Sequence, residues 1–121
     1  MTGRKSFLKD KSYAFAIRIV KMVRYLRETK SEHVLSKQVL RSGTAIGALV
    51  HEAEFAQSEA DYISKLSISL KEANETGYWL LLLHDTEYLD EEAFNSMDAD
   101  CKELIALLVT TIKTLKSKTS K

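Results

Sequence analysis

Apolar residues recur at three- and four-residue steps along most of this chain, the spacing of helices that bury one face. In the first segment the series Tyr13, Ala16, Ile17, Val20, Val23 and Leu26 predicts a helix from about Lys9 to about Thr29, buried along that stripe. Leu35, Val39, Ser42, Ile46, Val50 and Ala53 predict a second helix, from near Ser31 to about Gln57. Gly43 and Gly47 stand four apart on one side of it. Each destabilises a helix interior by ~1 kcal/mol relative to alanine, and close approach of a neighbouring backbone offsets that loss.

Ser58-Glu59-Ala60-Asp61 has a capping hydroxyl followed by acids in the first turn. It opens a third helix, from about Glu59 to about Asp85, with Ile63, Leu66, Leu70, Ala73, Gly77 and Leu80 as its main stripe. Asp90 is a natural N-cap for a fourth helix that runs to about Lys116, with Leu104, Leu107, Leu108, Thr111 and Leu115 inward. Within the third helix, Tyr78-Trp79-Leu80-Leu81-Leu82-Leu83 is apolar on every side. A monomeric four-helix protein covers one broad face of such a helix, so Tyr78, Trp79, Leu81 and Leu82 are expected to form a contact between copies of the chain.

Composition sharpens this to an all-α fold. Proline is absent and only four glycines are present, too few breakers for a many-stranded β architecture. With 121 residues the chain is expected to be one domain, 1–121, with 1–8 and 117–121 as frayed tails. The apolar run at Tyr78–Leu83 is far below the ~20 residues that span a bilayer. The lone Cys101 excludes an internal disulfide. A soluble, cytoplasmic protein with no membrane association is the expectation.

The net charge of +1 conceals a gradient. Residues 1–30 carry nine Lys/Arg against two acids, whereas residues 58–90 carry two against seven. Arg18, Lys21, Arg24, Arg27 and Lys30 form a slanted basic band on the first helix, preceded by Arg4, Lys5, Lys9 and Lys11. Such a band neutralises phosphates, and Tyr25 within it can stack on a base. It can equally be a solvated face, or pair with the acidic third helix.

Catalytic readings are weaker. Lys30, Ala48 and Leu81 stand three residues before the histidines, so the Glu-x-x-His pattern of dimetal bundles is missing. His51-Glu52 lacks the second histidine of a zinc-protease helix, because Phe55 occupies that position. Glu72-x-x-Glu75 and Glu87-x-x-Asp90 resemble the paired carboxylates of magnesium-dependent all-α pyrophosphatases, but Asp90 suits a cap, and Glu72 and Glu75 suit Arg41 or first-helix cations. Gly43–Gly47 lacks the Gly-Lys-Ser/Thr ending of a phosphate loop. Cys101 lies among Asp98, Asp100 and Glu103, which raise a thiol pKa. No catalytic residue, cofactor or metal site is expected.

The order of residues in two blocks is more specific. Gln38-Val39-Leu40-Arg41-Ser42-Gly43-Thr44-Ala45-Ile46-Gly47-Ala48 followed by Glu52-Ala53, and Ser58-x-x-Asp61-Tyr62-Ile63-x-Lys65-Leu66 continuing to Lys71-Glu72-Ala73-Asn74-Glu75-Thr76-x-Tyr78-Trp79-Leu80, resemble the family encoded in intervening sequences of 23S ribosomal RNA genes, often labelled S23-type ribosomal proteins. Ala45 and Leu49 depart from the serine and asparagine common there. The resemblance implies an antiparallel up-down-up-down four-helix bundle, assembly into a homopentameric ring, and no enzymatic activity. It also implies likeness to the accessory variability determinant of diversity-generating retroelements, which binds nucleic acid and a reverse transcriptase. Together with the basic band, this yields the expectation of an oligomer that binds RNA or DNA backbone through Arg18, Lys21, Arg24, Arg27 and Lys30. The alternative is a protein-protein interaction scaffold that binds a partner protein without nucleic acid.

Overall fold

Three short links, residues 29–34, 54–58 and 86–90, divide the chain into four α-helices, and each link has a local chemical cause. The computed structural model describes residues 4–119, with side chains from 7 to 118. The helices are α1 (Arg4–Glu28), α2 (Leu35–Ala53), α3 (Glu59–Asp85) and α4 (Glu91–Thr119). Residues 4–8, expected as part of a frayed tail, are helical, and Leu8 is buried. Helix α4 likewise continues through 117–119, while 1–3 and 120–121 lie outside the described residues.

Helix α2 begins at Leu35 rather than near Ser31, and Glu32 is the reason. Ser31 takes a left-handed φ of 54°, and the Glu32 N–H returns to the Leu26 carbonyl at 2.9 Å. The Glu32 carboxylate then accepts the N–H groups of Val34 (3.1 Å), Leu35 (2.9 Å) and Ser36 (2.7 Å), three donors that the first turn of a helix leaves unpaired. At its other end α2 stops at Ala53, short of Gln57. The N–H groups of Glu54, Phe55 and Ala56 there bond to carbonyls three residues back, which tightens and closes the turn.

The ends of α3 and the start of α4 follow the sequence. Ser58 Oγ accepts from the Asp61 N–H at 3.0 Å, and the Asp61 carboxylate accepts from the Gln57 N–H. Helix α3 closes with paired bonds, Tyr88 N–H to Leu83 O and Glu87 N–H to His84 O, around a left-handed Glu87 at φ 71°. Asp90 Oδ1 accepts from Ala93 N–H at 2.8 Å and caps α4.

Neighbouring helices run antiparallel. Lys9 reaches Glu54 while Gly43 faces Ile19, so α1 and α2 oppose one another. Ser42 meets Thr76 while Ile46 meets Ser69 across α2 and α3. Cys101 meets Ala73 while His84 meets Glu91 across α3 and α4. The bundle is therefore up-down-up-down, and α1 and α4 close it with the least backbone contact.

One shared core fills the interior, built from Phe15, Ile19 and Leu26 of α1 and Val39 and Ile46 of α2, with Leu66, Leu80 and Leu83 of α3 and Leu104 and Leu108 of α4. The inward stripes of α2, α3 and α4 follow the expected periodicity. That of α1 does so only at its end, where Val23 and Leu26 are buried. Tyr13 is 68% exposed and Ile17 is 41% exposed, whereas Leu8, Ser12, Phe15, Ile19 and Met22 face the core. Phe15 and Ile17 are about 200° apart around a helix that turns ~100° per residue. Helix α1 thus carries two apolar stripes of helical spacing, and the other three helices cover one.

Small residues let α2 approach both neighbours. A Cβ added to Gly47 would lie 3.1 Å from the Ser12 carbonyl oxygen, the close backbone approach its spacing predicts. Ser69 Oγ donates to the Ile46 carbonyl and Thr76 Oγ1 donates to Ser42 Oγ, both at 2.9 Å and buried. No helix among the described residues is long and apolar enough to cross a membrane.

Candidate nucleic-acid interface

The cations of α1 divide into two groups according to what the neighbouring helices place opposite them. Lys9 pairs with Glu54 at 3.1 Å and Lys11 with Glu103. Arg18 is held against α4, with Nη1 donating to Asp100 Oδ2 at 2.6 Å and Nη2 to Ser96 Oγ at 2.8 Å. Arg27 Nε donates to Ser36 Oγ at 3.2 Å. Lys21, Arg24 and Lys30 are exposed, and among the described residues no acid lies within ion-pair distance of any of them. The expected basic band therefore splits. Arg18 and Arg27 are tied to α4 and α2, while Lys21, Arg24 and Lys30 face solvent.

The acids of α3 take a different cation. Arg41 of α2 bonds Glu72 at 3.1 Å and also reaches Glu75. Trp79 Nε1 donates to Glu75 at 2.9 Å. This indole N–H, then Arg41, holds the Glu75 carboxyl below the ordinary carboxylate value. Glu72 and Glu75 thus form an inter-helix clamp with Arg41. The cations of α1 pair instead with acids of α4 and with Glu54.

Lys21 and Arg24 border an outward face of α1 that also presents Tyr13, Ala16, Ile17 and Val20. Lys21 also borders a groove of about 560 Å³ between α1 and the start of α4. A second groove of about 560 Å³ lies between α1 and α2, over Ala16, Gly47 and Ala48. On α3, Tyr78 and Leu81 are 60% and 49% exposed, while Trp79 and Leu82 are half-buried. The Tyr78 and Trp79 rings meet edge-on at 5.1 Å. Tyr78 and Leu81 thus leave apolar surface exposed on α3, and the outer stripe of α1 is a separate surface on the diagonally opposite helix.

Other polar groups have local roles. His84 contacts Glu91 at 2.7 Å through Nε2 and Asp85 at 2.9 Å through Nδ1, which raises its pKa above the ordinary imidazole value. It stacks near Phe94, so it joins the end of α3 to the start of α4. Cys101 is buried and its Sγ–H donates to the Ala73 carbonyl. Burial first, and Asp98 second, push the thiol up to about 12. The direction matches the sequence expectation, but burial rather than the acidic neighbours is the main cause. Among the described residues no group of three or more His, Cys, Asp or Glu is placed to hold a metal ion.

Fold and surface together define a small antiparallel four-helix-bundle protein with a basic first helix. The family model described as 23S rRNA-intervening sequence protein matches residues 4–110, and the chain belongs to that family. The solved structures similar to it include a crystal structure of a protein with unknown function from the S23 ribosomal protein family of Bacteroides thetaiotaomicron VPI-5482. The two chains are 52% identical, the match covers 92% of this chain and 99% of that one, and the TM-score is 0.91. No curated protein matches the chain.

Proposed function

We propose that this protein is a non-enzymatic, self-associating bundle of the cytoplasm that binds RNA or DNA backbones through Lys21, Arg24 and Lys30. One observation carries the reading: among the described residues these three exposed cations have no acid within ion-pair distance, while Lys9, Lys11 and Arg18 are paired with Glu54, Glu103 and Asp100. Unpaired cations exchange condensed counterions for phosphates without first breaking an ion pair. Tyr78 and Leu81 on α3, with the half-buried Trp79 and Leu82, supply apolar area for contacts between copies, away from the cations of α1. A homopentameric ring, the family expectation, would repeat the weak basic patch five times and make its binding multivalent.

The test is light scattering after size exclusion, followed by titration with labelled structured RNA and duplex DNA over a range of salt. The triple variant Lys21→Glu, Arg24→Glu and Lys30→Glu should keep the oligomer of the unaltered protein. It should lose at least ten-fold in affinity, and its salt slope should flatten by about two to three per contacting protomer. Unchanged binding by that variant overturns the nucleic-acid reading and favours a protein-interaction scaffold.

A further inference from the structure

The groove between α1 and α4 lies where the helices make the least backbone contact; Lys21 borders it, and Arg24 stands beside Lys21 on the adjoining outward face of α1. Its floor is apolar and deep: Met22, Leu89 and Met97 are each at most 9% exposed. One wall is the ring of Tyr25, 44% exposed, and Lys21 stands on the same helix, one turn away. On the opposite rim lies Asp90, whose Oδ1 is occupied by the Ala93 N–H of the helix cap. The volume of about 560 Å³ falls within the range of small-molecule sites.

Backbone binding alone uses none of this apolar surface. A phosphate chain needs only exposed cations, and among the described residues no acid lies within ion-pair distance of Lys21, Arg24 or Lys30. An unpaired nucleotide requires more: an aromatic or apolar face for the base, and a cation for the phosphate that tethers it. We infer that the α1–α4 groove receives one unpaired base of a single-stranded nucleic acid, stacked on Tyr25 over the two methionines, with its flanking phosphates on Lys21 and Arg24.

The inference rests on the nucleic-acid reading above and narrows it to strands with unstacked bases. Met22 and Met97 suit the role, because unbranched thioether side chains conform to different flat rings. Stacking of this kind tolerates any base, so no sequence preference is required. The free oxygen of Asp90 repels phosphate, which places the backbone on the α1 side, and it can accept from an exocyclic amine of the base. The other groove of equal volume, between α1 and α2, lacks the combination. The cation on its rim, Lys9, is paired with Glu54, and its floor is formed by the small residues Ala16, Gly47 and Ala48.

Fluorescence anisotropy with labelled 20-mers at one moderate salt concentration tests the inference. Four probes are compared: mixed-sequence single-stranded RNA, the same sequence as single-stranded DNA, an abasic strand of the same length, and the DNA duplex. The base-bearing single strands should bind more tightly than the abasic strand. Tyr25→Ala should weaken them about 5- to 30-fold, Tyr25→Phe should restore them, and neither variant should move the duplex. Because Tyr25 is nearly half exposed, the thermal midpoint of Tyr25→Ala should stay within a few degrees of the unaltered protein. The ratio of the RNA and DNA arms identifies which sugar the site prefers.

Equal binding of abasic and base-bearing strands, or single-strand binding indifferent to Tyr25→Ala, overturns the base site. If the duplex still binds in a manner dependent on Lys21 and Arg24, the backbone reading survives that result. If no probe binds the unaltered protein, both fall together.

Discussion

Ile19 of α1 lies directly over Gly43 of α2: a Cβ built on Gly43 would be 2.7 Å from Ile19 Cγ1, 2.8 Å from Cδ1 and 3.0 Å from Cγ2. Both residues are buried. The glycine is therefore a seat for a core side chain, and its low helix propensity is offset by the packing it permits. Gly43→Ala should destabilise the protein by about 1–3 kcal/mol through overpacking, despite alanine's better propensity. Removing the overlapping atoms should reverse the sign. In the background of Ile19→Ala, itself destabilising by about 2–5 kcal/mol, Gly43→Ala should be neutral or stabilising. Denaturant unfolding of the four proteins of this cycle checks the coupling, and simple additivity would contradict the seat.

Glu32 is a buried carboxylate at a helix N-terminus. Burial pushes its carboxyl up, but the N–H groups of Leu35, Ser36 and Val34 outweigh that and hold it below its ordinary value. Glu32→Ala should lower stability by about 1–2 kcal/mol, the range for losing a strong cap. A depressed folded-state pKa means that this contribution is present above the unfolded value near 4.5 and is lost as pH falls through the folded one. The gap between Glu32→Ala and the unaltered protein should accordingly shrink on acidification. A gap that stays constant from pH 7 to pH 3 would count against the carboxylate as its source.

Glu87 ends α3 in the left-handed region, where a side chain is disfavoured and glycine is not. Glu87→Gly should raise stability by about 1 kcal/mol, while Glu87→Ala should not. Both follow from the midpoint of chemical unfolding. A less stable glycine variant would show that the Glu87 side chain makes a contribution larger than the backbone strain.

How far the sequence carried the structure can be judged residue by residue. The caps at Ser58 and Asp90 were legible because they act within four residues through their own side chains. Glu32 was not, because caps are read from short Ser, Thr, Asp or Asn side chains, and Ser31 just ahead of it looks like the natural start whereas the longer Glu32 carboxylate takes the N–H groups. The inward stripes of α2 and α4 were legible because each of those helices carries a single apolar face to the core. On α1 two stripes share the helical period: Val23 and Leu26 of the expected one are buried, but its Tyr13 and Ile17 face solvent and Phe15 and Ile19 take their place in the core.

For the site, Lys21, Arg24 and Lys30 were marked as cations by type alone, and so were Arg18 and Arg27. What separated them was the presence of Asp100, Ser96 and Ser36 opposite. The groove beneath Tyr25 had no sequence signal, since Met22 on α1 and Leu89 and Met97 around the start of α4 come from two distant stretches of chain.

The sequence by itself determined that four helices form, where α3 starts and stops and α4 starts, and that the first helix is basic. Those properties arise from local periodicity, capping chemistry and residue type, which act between residues near one another in the chain. The alternation of helix direction was implied by the family resemblance and is fixed by the contacts between helices. Only the tertiary structure decided which face of α1 is buried, which of its cations keep their charge for a partner, and where a groove opens. Each of these depends on what a distant helix presents at contact distance, and neither helical period nor charge type encodes that pairing.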